Sequence, residues 1–148
     1  MATIETVDFG QYGKVQYANL STKVGQGLDN EKNDVLLIQT LFWLIGGAGK
    51  VFSRAFFGYD PIYLPPISGI CDGDTVTTIW KFQRHRRHRL LNVDGIIHPG
   101  SFQDRVIKSG PEARQMSITL LNMNAAQIIN TNDIISAIKR MTPQIVFK

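Results

Sequence analysis

The residues most suited to chemistry lie together in the segment Lys81–Arg89, called the basic segment below. It holds five of the 16 lysines and arginines, no acidic residue, and two of the three histidines, His85 and His88. The rest of the chain has 11 basic and 12 acidic residues, so this one segment accounts for the formal charge of +4. Histidine titrates near neutral pH, so we expect the segment to become more positive in mild acid. It suits a polyanion: nucleic acid, an anionic membrane surface or an anionic cell-wall polymer.

No catalytic arrangement is visible, and we predict that the protein is not an enzyme. His85 and His88 share a helix face, a spacing that allows weak metal binding, but a solvated basic turn explains them more simply. The single cysteine, Cys71, excludes an internal disulfide framework and a cysteine-based zinc site. Asp72 and Asp74 beside it raise the pKa of a thiol rather than lower it. We therefore expect no catalytic residue, no metal site and no cofactor.

Two predicted helices carry or support the basic segment. After Asn33, apolar residues recur at spacings of three and four, which predicts a first helix ending at Gly46-Gly47. Asn33 or Asp34 offers its cap. A second helix is predicted from about residue 74 into the basic segment, where positive side chains suit the helix dipole.

The flanks give weaker signals. A turn-rich, extended arm is predicted for residues 1–33, and the region after the second helix mixes helix and strand signals. The arm contains a predicted β piece at Val15–Tyr17. The predicted elements after the second helix are a short helix from Pro99 to Lys108, β-prone residues 117–123, a helix capped by Asn132-Asp133, and a strand at 145–147.

Residues 46–67 form a long connection that is rich in glycine, proline and aromatic residues, including Tyr59 and Tyr63. A polar linker would not carry this much apolar surface. We interpret the segment as an ordered loop that folds back on the core, or as a lip around a binding site.

Three groups of residues resemble family motifs in order and spacing. They are Asp34-Val35 with Ile38-Gln39, then Thr75 with Thr78-Ile79 and Phe82-Gln83, then Leu91 with Asp94-Gly95, Pro99 and Ser101. These groups resemble the peptidoglycan-binding-like domain family over roughly residues 24–108. The sequence departs from the family pattern at Ser68, Cys71, Asp72 and His98.

The resemblance implies a mainly α fold with a three-helix peptidoglycan-binding-like core and short β elements in the terminal arms. We expect one domain over residues 1–148, with a core at about 24–108 and with the extensions 1–23 and 109–148 packed on it. The motif residues also have a purely architectural reading, in which glutamine and aspartate side chains tie loops rather than touch a ligand.

The resemblance further implies a non-catalytic module that binds bacterial cell-wall peptidoglycan. Arginine grips the carboxylates of stem peptides in pairs, and aromatic rings stack on sugars. The candidate ligand-binding residues are Arg84, Arg86, Arg87, Tyr59, Tyr63, Gln83 and Asp94.

Two other functions fit the sequence. A structural or protein-interaction protein would use the segment 46–67, called the aromatic loop below, and the terminal arms as its interface. A nucleic-acid binder would use the basic segment and would show steep salt dependence. We rank nucleic acid below the other two, because the charge cluster is short.

The sequence has no apolar run of about 18 residues, so we expect no membrane span. The first ten residues do not read as a secretory signal. We therefore expect synthesis in the cytoplasm and, for a wall binder, a non-classical route to the cell envelope. An accessory or effector protein of a secretion system fits this expectation.

Overall fold

A computed structural model of the chain describes residues 1–8, 11, 13–47, 64–100 and 114–148. This part of the chain contains four α-helices and two antiparallel sheets of two strands each. The elements in chain order are β1 (Thr3–Asp8), β2 (Lys14–Asn19), β3 (Val24–Gly25), α1 (Lys32–Gly46), α2 (Gly73–His85), β4 (Ile96–Ile97), α3 (Ser117–Ile128) and α4 (Ile134–Met141).

The predicted mainly α fold with a three-helix core is wrong, because the described chain is a mixed α/β structure. β1 and β2 form a hairpin whose register runs from Thr3 opposite Asn19 to Asp8 opposite Lys14. β3 pairs with β4 across the middle of the chain. The hairpin buries residues such as Tyr17 against the helices, so the N-terminal arm is a structural layer of the fold.

Helix α1 is the centre of the core and is buried on almost every side. It packs against α3 and α4, and Phe42 meets Phe82 of α2 with ring centroids 6.4 Å apart. The apolar residues that widen its buried face explain this central position, because a helix covered on several sides needs apolar residues all round. The predicted start at Asn33 is close to the observed one at Lys32.

The N-terminus of α1 is capped by a different residue from those predicted. The cap is Glu31, whose carboxylate accepts a hydrogen bond from the backbone N–H of Asp34. The carboxylate of Asp34 is fully buried and faces the other way. It accepts hydrogen bonds from the backbone N–H and hydroxyl groups of Ser21 and Thr22. Asp34 therefore fixes the end of the N-terminal layer to α1.

One side chain of α1, Gln39, fixes the turn before α2 by hydrogen bonds. The Oε1 atom of buried Gln39 accepts hydrogen bonds from the N–H groups of Ser68 and Gly69, both at 2.9 Å. Its Nε2 atom donates to the carbonyl of Ile70 at 2.9 Å and to the Thr75 hydroxyl at 3.1 Å. Asp72 then caps α2 by accepting from the Thr75 N–H at 2.8 Å.

Helix α3 occupies the residues for which the sequence suggested partial β structure. It is tied to the hairpin by Asn122, whose buried amide accepts from the N–H of Ala18 at 2.9 Å and donates to its carbonyl at 2.8 Å. Helix α4 has the cap that the sequence indicated, since the Asp133 carboxylate accepts from the Ser136 N–H at 3.1 Å. The C-terminal strand is reduced to a single parallel bridge between Phe147 and Ala2.

Several predictions fall outside the described residues. These are Tyr59 and Tyr63, nearly all of the aromatic loop, and the helix predicted at 99–108 from residue 101 onward.

Candidate functional site

The basic segment forms the C-terminal turn of α2 and the 3-10 turn Arg87–Arg89 that follows it. The backbone N–H of Arg86 donates to the carbonyl of Phe82 at 2.9 Å and closes the last turn of the helix. Positive side chains at this position interact favourably with the negative end of the helix dipole. The positive residues of the basic segment therefore lie at the end of α2 where the helix dipole stabilises them.

Arg84 lies on the solvent side of α2, beside Trp80. The centre of its guanidinium group is 5.2 Å from the centroid of the indole ring, which is a cation–π contact. The indole lies close to the backbone of Gly95, where a Cβ atom would stand 2.7 Å from the indole Nε1. Trp80 is half-buried, so one part of the ring supports Arg84 and another part covers the turn before β4.

Arg86 and Arg89 line a cavity of about 460 Å³ on another side of the same segment. Its walls come from β2, the basic segment, α3 and the residues leading into α4. The described lining residues are Val15, Tyr17, Arg86, Arg89, Leu120, Met123, Asn124, Ala126, Gln127, Thr131, Asn132 and Ile134.

Arg84, Arg87 and Arg89 form no ion pair with any acidic residue in the described part of the chain. Burial lowers the pKa of Arg86, and the nearby charge of Arg89 lowers it further. The charge of Arg89 thus disfavours the charged form of Arg86, and an anion paired with Arg89 would offset this repulsion.

One histidine of the basic segment, His85, gains its positive charge at a lower pH than the sequence predicted. Burial lowers the pKa of His85 below its ordinary value of 6.5, and the positive charges of Arg86 and His88 lower it further. His85 therefore gains its charge at a lower pH than an ordinary histidine.

Gln83 is fully buried, and the fold uses both ends of its amide. Its Oε1 atom accepts from the Gly95 N–H at 2.8 Å. Its Nε2 atom donates to the Ile96 carbonyl at 2.9 Å and to the Ser117 hydroxyl at 3.0 Å. Gln83 therefore joins the turn before β4 to the start of α3, in line with the architectural reading.

Asp94 is exposed, but its carboxylate is also engaged in a turn. Oδ1 accepts from the Ile96 N–H at 3.0 Å, and Oδ2 is 2.7 Å from Nε2 of His98. Burial raises the pKa of Asp94, but the hydrogen bonds from His98 and Ile96 and the charge of His98 outweigh this, so its pKa is lowered.

The three predicted contact arginines do not converge on one place. Arg84 faces Trp80, Arg86 lines the cavity, and Arg87 is exposed on the 3-10 turn. Sequence reasoning missed Arg89 and Asn124 as companions of Arg86. A signal was present for both, since Arg89 belongs to the basic segment and Asn124 interrupts an apolar helix.

The described residues give little support for metal or thiol chemistry. No group of three or more histidine, cysteine, aspartate or glutamate side chains in this part of the chain is arranged to hold a metal ion. Burial raises the pKa of Cys71 above its ordinary value of 9.0, and the charge of Asp72 raises it further. The Cys71 thiol is therefore a poor nucleophile at neutral pH.

Comparison with known proteins gave no relative, since no protein-family model, no curated protein and no solved structure matches this chain. Within the described residues, no helix has the length and apolar character needed to cross a membrane.

Proposed function

We propose that this protein is a non-catalytic binding module for bacterial cell-wall peptidoglycan, which it contacts through the basic segment at the end of α2. The observation that carries the proposal is the set of arginines, Arg84, Arg87 and Arg89, without acidic partners among the described residues. Arg84 and Arg87 are also exposed to solvent. Cations held on a rigid helix end without internal partners are available to an external anion.

The chemistry of peptidoglycan matches this surface in two respects. Its stem peptides carry carboxylates, which guanidinium groups bind in a bidentate manner. Its sugar rings present apolar faces that stack on aromatic side chains, and the part of the half-buried Trp80 ring that Arg84 and Gly95 leave open can offer such a contact. Arg84 and this part of the indole would then each contact one part of the polymer.

A nucleic-acid binder remains the alternative that uses the same arginines, and salt separates the two. We expect the purified protein to pellet with nuclease-treated peptidoglycan sacculi at about 50 mM salt and to remain largely bound at about 300 mM. A protein that binds only through phosphate contacts would lose most of its affinity over this range. Parallel titration of a labelled DNA duplex provides the comparison.

The remaining alternative is a protein-interaction role, which predicts no pelleting at either salt concentration. Absence of sedimentation with sacculi at about 50 mM salt would overturn the proposal, because screening is weakest there.

A further inference from the structure

Three kinds of side chain line the cavity beside the basic segment. Arg86 and Arg89 supply positive charge, and polar side chains, among them Asn124, supply hydrogen-bonding groups. Apolar side chains from the hairpin and from α3 and α4, such as Val15 and Leu120, complete the lining. A volume of about 460 Å³ lies within the range of small-molecule sites in proteins.

Arg89 gives the cavity an unneutralised charge. It is half-buried, it has no acidic partner among the described residues, and its Nε atom is buried without a hydrogen bond. A half-buried charge without a partner is less well solvated than an exposed one, and the guanidinium of Arg86 lies close enough for the two positive charges to repel each other. An anionic ligand would remove part of it by pairing with the guanidinium group of Arg89.

Asn124 of α3 adds a hydrogen-bonding group without a partner to the lining of the cavity. The residue is only 4% exposed, and its Oδ1 atom has no hydrogen-bond partner. Buried polar atoms are nearly always hydrogen-bonded, so a buried amide oxygen left alone in the wall of a cavity indicates a missing donor. An N–H group of a ligand would supply it.

We propose that this cavity binds the free C-terminal carboxylate of a short peptide with a small apolar side chain. The carboxylate pairs with Arg89, the amide N–H of the terminal residue donates to Asn124, and the side chain lies against Leu120 and its apolar neighbours. A bare phosphate or sulfate uses only the arginines and leaves the polar and apolar side chains of the cavity without contacts. The inference concerns a small soluble ligand and does not depend on binding to the intact wall.

Calorimetric titration of the full-length protein with N-acetyl-dialanine tests the proposal without any variant. The free acid and its C-terminal amide have the same shape and side chains, so the pair isolates the carboxylate. We expect the amide to bind at least about tenfold more weakly, which corresponds to one charge-assisted contact. The L,L and D,D peptides are titrated separately, because proteins end in L residues and wall stem peptides end in D residues.

Three substitutions locate the site. We expect Arg89→Met to weaken binding of the acid about tenfold or more and Arg89→Lys to weaken it less, because lysine keeps the charge without the planar fork. Asn124→Leu should weaken binding of both the acid and the amide, since it removes the acceptor for the N–H. Lys23→Met, which removes an exposed cation elsewhere, serves as the matched control.

Several outcomes would overturn the proposal. They are equal affinity for acid and amide, no heat of binding for either enantiomer up to about 10 mM, and unchanged binding by a folded Arg89→Met variant. Acetate or inorganic phosphate saturating the site as tightly as the dipeptide would reduce it to a simple anion site. Failure of the sacculus assay alone would leave these soluble measurements unaffected.

Discussion

Gln39 and Gln83 share three equivalent hydrogen bonds at two successive turns of the chain. The Oε1 atom of each accepts from the N–H of a glycine with positive φ, Gly69 or Gly95. The Nε2 atom of each donates to the carbonyl of the residue that follows this glycine, Ile70 or Ile96. It also donates to a hydroxyl group at the start of the following helix. Each glutamine thus fixes one helix to the turn and helix that come after it.

The residue before each glycine is also equivalent, although its type differs. The Ser68 hydroxyl accepts from the N–H of Ile70 at 3.1 Å, and Asp94 Oδ1 accepts from the N–H of Ile96 at 3.0 Å. Ser68 was one of the departures from the family pattern. Its hydroxyl accepts the hydrogen bond that corresponds to the one accepted by Asp94 in the later turn. The motif residues Gln39, Gln83 and Asp94 therefore have an architectural role that any ligand contact would have to share.

Replacing either glutamine by leucine should destabilise the protein strongly. Gln39→Leu or Gln83→Leu leaves a buried backbone N–H and a carbonyl without partners, and we expect a loss of about 2–4 kcal/mol in the free energy of unfolding. Urea denaturation followed by circular dichroism measures it. The exposed residue Gln144 provides the control, and a loss no larger than that of Gln144→Leu would contradict the bridging role.

Gly95 and Gly27 form a matched pair for measuring the contact with Trp80. Both have φ of +76°, but a Cβ atom at Gly27 meets nothing within 4 Å, whereas one at Gly95 enters the indole ring of Trp80. We expect Gly27→Ala to cost about 1 kcal/mol from the backbone alone. Gly95→Ala should cost about 1–3 kcal/mol more from overpacking. Equal thermal denaturation midpoints for the two variants would show that Trp80 moves away freely.

Asp34→Asn should weaken the attachment of the N-terminal layer. The substitution turns one acceptor oxygen into a donor that faces the N–H and hydroxyl groups of Ser21 and Thr22. We expect a loss of about 2–4 kcal/mol in the free energy of unfolding, because hydrogen bonds to a buried carboxylate are lost. Asp29→Asn, at an exposed position, is the control in the same denaturation assay. Similar losses for the two variants would contradict the role assigned to Asp34.

The Asp94–His98 contact predicts a dependence of stability on pH. The folded-state pKa of Asp94 lies below its ordinary value of 3.8, so its ionised form stabilises the fold above that pH. This contribution is lost as the pH falls through the lowered folded-state pKa. We therefore expect the stability difference between wild type and Asp94→Asn to shrink as the pH falls below about 4. A difference that grows in acid would reverse the assigned direction of the shift.

The sequence predicted the elements with strong local signals. The periodic apolar residues located α1 and α2 to within one or two residues at their starts, and Asn132-Asp133 indicated the cap of α4. The equivalence of Gln39 and Gln83 could not be predicted, because it depends on contacts that local patterns do not encode.

Tertiary context decided the elements that the sequence missed. Residues 117–123 include β-branched residues with local strand preference, but their burial between α1 and the hairpin makes them helical. Asp34 looked like a helix cap and instead serves a partner 13 residues away. The cavity wall at Asn124 depends on α3 packing beside the basic segment, which no spacing in the sequence predicts.

The measurement that tests the central claim most directly is a binding isotherm on nuclease-treated sacculi for three proteins: wild type, Arg84→Ala/Arg87→Ala and Lys23→Ala/Lys148→Ala. The two double variants remove equal charge from exposed positions, so only the location differs. We predict that the arginine variant loses about tenfold or more in affinity and that the lysine variant stays close to wild type. Equal losses in both would mean that net charge alone governs sedimentation, and would contradict a peptidoglycan site on the basic segment.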